Sequence, residues 1–241
     1  MCGRIVQVMP PDEVAAAMDA VLDADLGPGT TWRPRWNMPP SQLALVVAPV
    51  DGARRLERAV WGLPGGPQHP TRSLFNARAE TVDRLPSFRE AFRTGRVLVP
   101  VDAFYEWENP EHLAARAEGT PPRGRRQPWA FLPSERPLLA LVGIAVRGAT
   151  SDGEPIRLFS LVTTRANDVV GAIHDRMPAM VFGEDLGRWL DPETPREELF
   201  PMLEPAPDAA LVARRVSTAV SSVRNDGPEL LDAVAAEPRL F

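Results

Sequence analysis

The sequence predicts one domain in which short helices are interspersed among strands. The chain of 241 residues is 44% apolar, which is sufficient for the core of a single large domain. Apolar runs of strand length recur along it, whereas helical spacing of apolar residues is confined to short stretches. No internal repeat or linker-like segment divides the chain. We therefore expect residues 1–241 to form a single mixed domain.

The N-terminal segment is expected to contain a strand followed by a helix. Residues 4–8 have the composition of a short strand. Pro10-Pro11-Asp12-Glu13 is typical of the first turn of a helix. Apolar residues at helical spacing extend this helix to Leu22, and Gly27-Pro28-Gly29 is expected to end it.

The stretch from Trp32 to Pro40 contains too many prolines for regular secondary structure, and it interleaves arginines with Trp32 and Trp36. Two interpretations remain open. The stretch is either a packed irregular loop or a surface that stacks on bases and contacts phosphates.

The central part of the chain has the strongest strand signals. Residues 43–48 and a second run ending at Trp61 are joined by Asp51-Gly52, which predicts a hairpin. Residues 63–67 are expected to form a loop. A short amphipathic helix around residues 88–92 then precedes strand segments at 96–100 and 103–107.

Glu106 lies among apolar and aromatic residues in the second of these segments. It either alternates onto the solvent side or is a buried carboxyl group, in which case its pKa should be raised. Residues 108–128 are polar and rich in Pro, Gly and Arg, which predicts a mobile insertion with His112 on its surface.

Residues 138–146 and 156–162 are predicted to be strands joined by a turn at Asp152-Gly153. Thr163 or Thr164 is expected to cap a following helix, whose apolar residues include Val169, Val170 and Ile173. His174 then falls at the C-terminal end of that helix, where the carbonyl dipoles favour a protonated imidazole.

The remaining elements are two short helices, a strand, a loop and a tail. They are expected at residues 184–190, 196–203, 211–216, 224–227 and 229–241.

Composition excludes several classes of protein. The formal charge of −5 argues against bulk electrostatic coating of nucleic acid, so any DNA contact must be local. The histidines are scattered and lack metal-ligand spacing, and no glycine loop for phosphates is present, so we expect no metal and no cofactor. No signal peptide or membrane-spanning stretch is recognised, and a single cysteine cannot form an intramolecular disulfide. These features favour a reducing cytoplasmic location.

Cys2 is that cysteine, and removal of Met1 would make it the N-terminal residue. It would then carry an α-amine and a thiol on adjacent carbons, with ordinary pKa values of roughly 8 and roughly 8.5. Such an aminothiol condenses with an aldehyde to a thiazolidine, or attacks an acyl carbon. The alternative is an inert buried cysteine. All 27 basic residues are arginine, so imine chemistry could use only the α-amine.

A series of motifs resembles the SOS response-associated peptidase (SRAP) family, which includes abasic-site processing proteins, and the resemblance extends from residue 1 to about 228. In order, the motifs are Met1-Cys2-Gly3-Arg4, Asn76-Ala77-Arg78-Ala79-Glu80-Thr81, Val99-Pro100 with Phe104-Tyr105-Glu106-Trp107, Gln127-Pro128-Trp129, Thr163-Thr164 with Ala166-Asn167, and His174-Asp175-Arg176-Met177-Pro178.

This resemblance implies an α+β fold with mostly antiparallel strands in a pseudo-barrel and helices at its periphery. It also implies self-removal of Met1 and a thiazolidine crosslink between Cys2 and an abasic site in single-stranded DNA. Asn76 would orient the Cys2 amine and the sugar, Glu106 would act as acid and base in ring opening, and His174 would assist proton transfer at the Schiff-base stage.

The resemblance assigns DNA contacts to a second group of residues, with Arg4, Arg78 and Arg176 holding phosphates. The contacts are Arg4, Arg78, Arg176, Trp107, Thr164 and Trp36. We expect a monomer that is associated with the nucleoid when it is bound to DNA. In the family's pattern a tryptophan associated with wedging at the DNA follows Leu63. Pro64-Gly65-Gly66-Pro67 lacks this tryptophan, so the resemblance does not extend to recognition of a duplex junction.

Two other functions are compatible with the sequence. Cys2, His174 and Asn76 could support acyl transfer in a cysteine peptidase. A non-catalytic module that binds single-stranded DNA through Trp32, Trp36 and the arginines is the second alternative.

Overall fold

The computed structural model describes residues 2–27, 31–65, 73–116, 126–149 and 152–235. Within these ranges the chain forms a closed barrel, a second sheet and short peripheral helices. The strands are β1 (Ile5–Gln7), β2 (Val21–Leu22), β3 (Arg35–Met38), β4 (Leu43–Val50), β5 (Ala53–Trp61), β6 (Leu63–Pro64), β7 (Ser73–Leu74), β8 (Asn76–Arg78), β9 (Arg96–Val101), β10 (Ala103–Trp107), β11 (Pro128–Pro133), β12 (Leu139–Ala149), β13 (Pro155–Arg165), β14 (Arg176–Pro178), β15 (Met180–Val181) and β16 (Leu211–Arg215).

The helices are short and peripheral. The α-helices are α1 (Pro11–Met18), α2 (Pro86–Thr94), α3 (Pro110–Arg116), α4 (Asp168–Gly171), α5 (Asp185–Leu190) and α6 (Arg196–Leu199). Single turns of 3₁₀ helix are found at Ala24–Leu26, Pro201–Leu203, Asp208–Ala210, Thr218–Ser221 and Pro228–Leu231. No helix in the described parts of the chain is long and apolar enough to cross a membrane.

Five strands close the barrel. They follow the order β13, β12, β9, β4 and β5, and β5 then pairs with β13 to complete the circuit. The closing pair is parallel, and the other four pairs are antiparallel. The expected α+β fold with a mostly antiparallel barrel is thus confirmed.

The second sheet has the order β16, β11, β10, β1 and β3, and all its pairs are antiparallel. One apolar cluster joins its inner face to the barrel, since Ile5, Phe104 and Phe131 pack with barrel residues such as Phe159. The outer face, which carries Tyr105, is covered by the turns between residues 218 and 231. This sheet holds the N-terminal end of the chain against the barrel.

The hairpin between β4 and β5 forms as predicted. Asp51 and Gly52 both have positive φ angles, 51° and 78°, and Val50 pairs with Ala53. Two central residues of this kind form a type I′ turn, whose twist matches that of the flanking strands.

The first helix is shorter than predicted. It ends at Met18 because Asp19 adopts a left-handed conformation, and the N–H of Asp19 bonds back to Ala15 and Ala16. Val21 and Leu22, expected to be helical, form β2 and pair in parallel with β5. Pairing with β5 of the barrel therefore overrides the helical spacing of these residues.

Other segments expected to be irregular contain regular structure. Within the proline-rich stretch, β3 pairs with β1, and within the predicted loop at residues 63–67, β6 pairs with β7. Part of the predicted mobile insertion is helix α3, while residues 117–125 lie outside the described residues. His112 on α3 is half-buried rather than a surface residue, and its Nε2 lies 2.6 Å from the carbonyl oxygen of Gly171.

The cap of the helix before His174 also differs from the prediction. Thr163 and Thr164 are strand residues of β13, and the capping side chain is that of Asn167, whose Oδ1 accepts a hydrogen bond from the Val170 N–H. The predicted helix at 196–203 is split into α6 and a 3₁₀ turn. Pro201 at the start of that turn has no N–H to continue an α-helix.

Candidate active site

Cys2 lies three residues before β1 and is fully buried. The carbonyl oxygen of Arg4 accepts a hydrogen bond of 3.0 Å from the Tyr105 N–H, and Ile5 is paired with Phe104. This antiparallel register directs the chain before β1 along the C-terminal end of β10, where Glu106 lies. Burial raises the pKa of the Cys2 thiol above its usual value, and the nearby Glu106 carboxylate raises it further.

Asn76 holds the backbone of Cys2 from strand β8. It is the first residue of β8, which is positioned by parallel pairing with Leu161 of β13. Its Nδ2 donates a hydrogen bond of 2.7 Å to the carbonyl oxygen of Cys2. Its Oδ1 is buried and accepts no hydrogen bond from the described residues. A further polar group at Cys2 could therefore use this oxygen as an acceptor.

Glu106 is buried, with 3% of its surface exposed, on the face of β10 that also carries Phe104. This excludes the solvent-side interpretation. Burial raises the pKa of Glu106 to about 7. The expected buried carboxyl group with a raised pKa is therefore present, and near neutrality it can both donate and accept a proton.

His174 follows α4 and precedes β14. The N–H of Arg176 donates a hydrogen bond of 3.0 Å to its Nδ1, so in the neutral ring the proton is on Nε2. The Asp175 carboxylate lies 3.1 Å from the same nitrogen. Burial nevertheless lowers the pKa of His174, so the expectation of a protonated imidazole is wrong. Loss of solvation on burial is the largest cause of this shift.

The turn that carries His174 is attached to the end of β10. The N–H of Asn109 donates a hydrogen bond of 3.0 Å to the Ile173 carbonyl, and Nδ2 of Asn109 bonds to Asp175 at 3.2 Å. Ile173 and Met177 pack in the same apolar cluster as Cys2. Cys2, Asn76, Glu106 and His174 thus belong to segments that meet at one place between the barrel and the second sheet.

The three arginines expected at DNA phosphates have different surroundings. Arg78 is exposed and makes no side-chain hydrogen bond or ion pair with the described residues. The Nη1 of Arg4 donates to Asn37 and to the carbonyl oxygen of Val220, and the guanidinium lies 5.5 Å from the ring centre of Trp107. Arg176 is paired with Glu80. Of the three, Arg78 has the side chain most available to a phosphate.

The other residues expected to contact DNA are partly or fully enclosed. Thr164 is buried on β13, with 5% of its surface exposed. The half-buried Trp36 packs on the outer face of the second sheet, where its carbonyl oxygen accepts a bond from the Tyr105 hydroxyl. Trp107 is half-buried, and its Nε1 donates to the Ser221 hydroxyl at 3.0 Å. Of these three residues, Trp36 and Trp107 are partly exposed and could meet a base, whereas Thr164 is buried.

Two asparagines that support the site were not singled out from the sequence. Asn109 ties the His174 turn to β10, and the fully buried Asn37 accepts a hydrogen bond from Arg4. A polar residue two positions after an apolar strand, and before Pro110 at the start of α3, was an available signal for Asn109. The described residues contain no group of three or more His, Cys, Asp or Glu side chains that could hold a metal ion.

The fold and the site define a barrel protein with a buried cysteine near its N-terminus, an amide bonded to that cysteine's backbone, a carboxyl group that acts on its thiol, and an imidazole on an adjoining segment. Residues 1–223 match the SOS response associated peptidase (SRAP) family, and the chain belongs to this family.

Similar proteins cover between about two thirds and almost all of the chain. The abasic site processing protein YoqW of Bacillus subtilis (strain 168) is 30% identical over 236 residues, which are 96% of this chain and 99% of that protein. The abasic site processing protein HMCES of Gallus gallus is 32% identical over 175 residues, which are 65% of this chain and 49% of that protein. The crystal structure of a Bacteroides thetaiotaomicron protein superposes with a TM-score of 0.81 at 21% identity. The match covers 97% of this chain and 100% of the chain of that structure.

Proposed function

We propose that this protein is an abasic-site processing enzyme that forms a covalent crosslink between Cys2 and an abasic site in single-stranded DNA. The names of relatives that match nearly the full chain support the substrate class. The observation that carries the chemistry is the enclosure of Cys2 by Asn76, which bonds to its carbonyl oxygen, and by Glu106, whose charge acts on its thiol.

The reaction requires Met1 to be removed, and we propose that the protein removes it by itself. The free α-amine of Cys2 then attacks the aldehyde carbon of the ring-opened sugar, and loss of one water gives an imine. The thiol adds to the imine carbon, its proton passes to the imine nitrogen, and a five-membered thiazolidine results. The net change is aldehyde plus aminothiol giving thiazolidine plus water.

Three side chains supply what these steps need. Glu106, with a pKa of about 7, can protonate the ring oxygen as the sugar opens and can later accept a proton. The unused Oδ1 of Asn76 can accept a hydrogen bond from the Cys2 amine and so orient it. Neutral His174 can accept a proton as the imine forms. Arg78 is a fourth residue, which in this proposal holds a neighbouring phosphate. Its guanidinium is exposed and has no ion pair with the described residues, so its donors are available.

The absence of lysine provides a sharp test. Cys2→Ser keeps the α-amine once Met1 is removed, but its hydroxyl is a much poorer nucleophile than a thiolate. Incubated with an abasic oligonucleotide, this variant should give an adduct that borohydride traps and no comparably stable adduct without reductant. Intact-mass and peptide mapping should place the trapped adduct on residue 2.

Acetylation of the α-amine is the matched control and should abolish both products. A trapped adduct elsewhere in the chain, or Met1 retained in an active preparation, would contradict the proposed chemistry. Tight binding without any adduct would instead favour a non-catalytic single-strand binding module. Cleavage of peptides beyond Met1 would favour a cysteine peptidase.

A further inference from the structure

The end of the barrel that lies away from Cys2 contains a cavity of about 490 Å³, which we call the distal cavity. Three of the charged residues that line it are Glu57, Arg147 and Arg157. Arg157 lies four residues before Leu161, the strand residue that is paired with Asn76. Each residue of a strand adds roughly 3.3 Å, so about 13 Å of β13 separates the distal cavity from the candidate active site.

Two of these residues continue the inward-facing rows of the barrel. Phe159 of β13 and Ala59 of β5 are buried in the apolar cluster of the barrel interior. Because alternate residues of a strand share a face, Arg157 and Glu57 take the next inward positions. Their side chains form an ion pair and are only 13% and 17% exposed. A charged pair therefore stands where the apolar interior of the barrel ends.

Two arginines face each other across neighbouring strands in the distal cavity. Arg157 of β13 is paired with Arg147 of β12 in the antiparallel register. Like charges directly opposite each other destabilise a sheet. Glu57 bonds to Arg157, whereas Arg147 makes no side-chain hydrogen bond or ion pair with the described residues. The whole lining contains four arginines and three carboxylates, so the cavity has an excess of positive charge.

Most of the donors of Arg157 are unused. Its Nε bonds to Glu57, but its two Nη groups make no hydrogen bond with the described residues. Buried polar groups in proteins are nearly always hydrogen-bonded, so a guanidinium that is 13% exposed requires a partner that reaches it through the cavity. Guanidinium groups match the geometry of phosphate oxygens, and here two of them are adjacent.

The size and the other walls of the distal cavity fit a small molecule. Its volume lies within the range of small-molecule sites, which is roughly 300–1,000 Å³. Val50, Pro155 and Ile156 provide apolar wall. Asp25 also lines the cavity, and its exposed carboxylate has no ion pair with the described residues. This carboxylate can accept a hydrogen bond from a hydroxyl group.

We propose that the distal cavity binds a small phosphate monoester. Arg147 and Arg157 hold the phosphate, and the hydroxyl-bearing part of the ligand lies against Asp25 and the apolar wall. The phosphate compensates the opposed arginines and supplies acceptors for the free Nη groups. Sugar phosphates and nucleoside monophosphates share this chemistry. The inference goes beyond the proposed function and does not depend on it, because Cys2 and its surroundings take no part.

Binding is tested by NMR titration of the ¹⁵N-labelled protein without DNA. The probes are inorganic phosphate, ribose 5-phosphate and adenosine 5′-monophosphate, each added alone. At least one ester should shift the backbone amides of Arg147 and Arg157, with a dissociation constant of about 1 mM or lower, as expected for a ligand of this size. Inorganic phosphate should bind more weakly than that ester. The ester that binds more tightly identifies whether the base contributes.

Arg147→Gln is the main variant, because its side chain is exposed and its loss relieves the repulsion from Arg157. It should weaken binding of the ester by roughly 10-fold or more, which corresponds to one lost hydrogen bond to a charged group. Arg157→Gln should have the same effect, and Arg147→Gln decides alone if that variant does not fold. Arg89→Gln is the matched control, since Arg89 is exposed on α2 and does not line the cavity. It should bind the ester as the wild type does.

The inference is overturned if neither ester shifts these amides at about 10 mM, tenfold above the expected dissociation constant. It is also overturned if inorganic phosphate binds as tightly as both esters, or if Arg147→Gln binds them as the wild type does. Shifts confined to Asn76 and Arg78 would place the ester in the candidate active site and would equally refute a distal site. A protein that is unreactive toward abasic DNA would refute the proposed function alone, because the titration contains no DNA.

Discussion

Burial acts in opposite directions on the pKa values of the acid and the base in the candidate site. It raises that of Glu106 to about 7 and lowers that of His174, because in both cases the neutral form is favoured in a poorly hydrated site. Near neutral pH the site therefore holds a carboxyl group that can give up a proton and an imidazole that can accept one. Pairs of groups with pKa values separated in this way are typical of acid and base roles in enzymes.

Glu106→Gln should change how the stability of the protein depends on pH. Between pH 4.5 and about 7 the wild-type carboxyl is ionised when unfolded and protonated when folded, so stability is lost as the pH rises through this window. Glutamine does not titrate. Relative to wild type, the variant should gain about 3 kcal/mol across the window, measured by urea unfolding at a series of pH values. A pH-independent difference would show that Glu106 is not protonated in the folded protein.

Arg78→Ala should weaken binding to single-stranded DNA without disturbing the fold. Its side chain is exposed and has no ion pair to lose among the described residues. If it contacts one phosphate, the slope of log affinity against log salt should become shallower by about 0.7. Arg89→Ala, at another exposed position on α2, is a suitable control. An unchanged slope for Arg78→Ala would remove this residue from the DNA contacts.

At the level of elements, the features predicted correctly are those with a local cause. The hairpin of β4 and β5 follows from Asp51-Gly52, which can adopt the positive φ angles that the turn requires. Helix ends were less predictable. The continuation of α1 to Leu22 had the right apolar spacing, but pairing of β2 with a distant strand overrode it. The cap before His174 was placed too early, since the residue spacing could not show how far β13 extends.

Asn167→Ala should destabilise the short helix before His174. Its Oδ1 caps the Val170 N–H at 3.0 Å, and its Nδ2 donates to the Ala206 carbonyl at 3.1 Å. Loss of both bonds should cost roughly 1–2 kcal/mol in urea unfolding. Asn167→Ser, which keeps a capping oxygen, should recover about half of this loss. Equal stability of the alanine and serine variants would mean that the cap is not the source of the effect.

For the whole molecule, the sequence leaves closure of the barrel and assembly of the site undetermined. The parallel pairing of β5 with β13 joins distant segments, and no local pattern specifies it. Likewise Cys2, Asn76, Glu106 and His174 lie on four separate segments, so periodicity alone could not bring them together. They were predicted as a set through the family resemblance. The raised pKa of Glu106 followed from its apolar neighbours, whereas the neutral state of His174 required its burial to be known.

The segment of residues 220–225 is held on the second sheet by the fully buried Asn37. Its Nδ2 donates to the carbonyl oxygens of Val220, Ser222 and Asn225 at 3.1, 3.0 and 2.8 Å, and its Oδ1 accepts from Arg4. Because Arg4 is two residues from Cys2, the segment and the site share this support.

Asn37→Ala should therefore lower the free energy of unfolding and remove a contact that holds Arg4 in place. Leaving these buried groups without a partner should cost roughly 2–4 kcal/mol in urea unfolding. Hydrogen exchange should become faster at the backbone amides of Val220 and Ser222, whose bonds keep the turns of this segment in place. Asn225→Ala, which removes only an exposed side-chain bond to the Ala219 carbonyl, should lose less than about 1 kcal/mol. Equal losses in the two variants, with unchanged exchange, would show that Asn37 does not hold the segment in place.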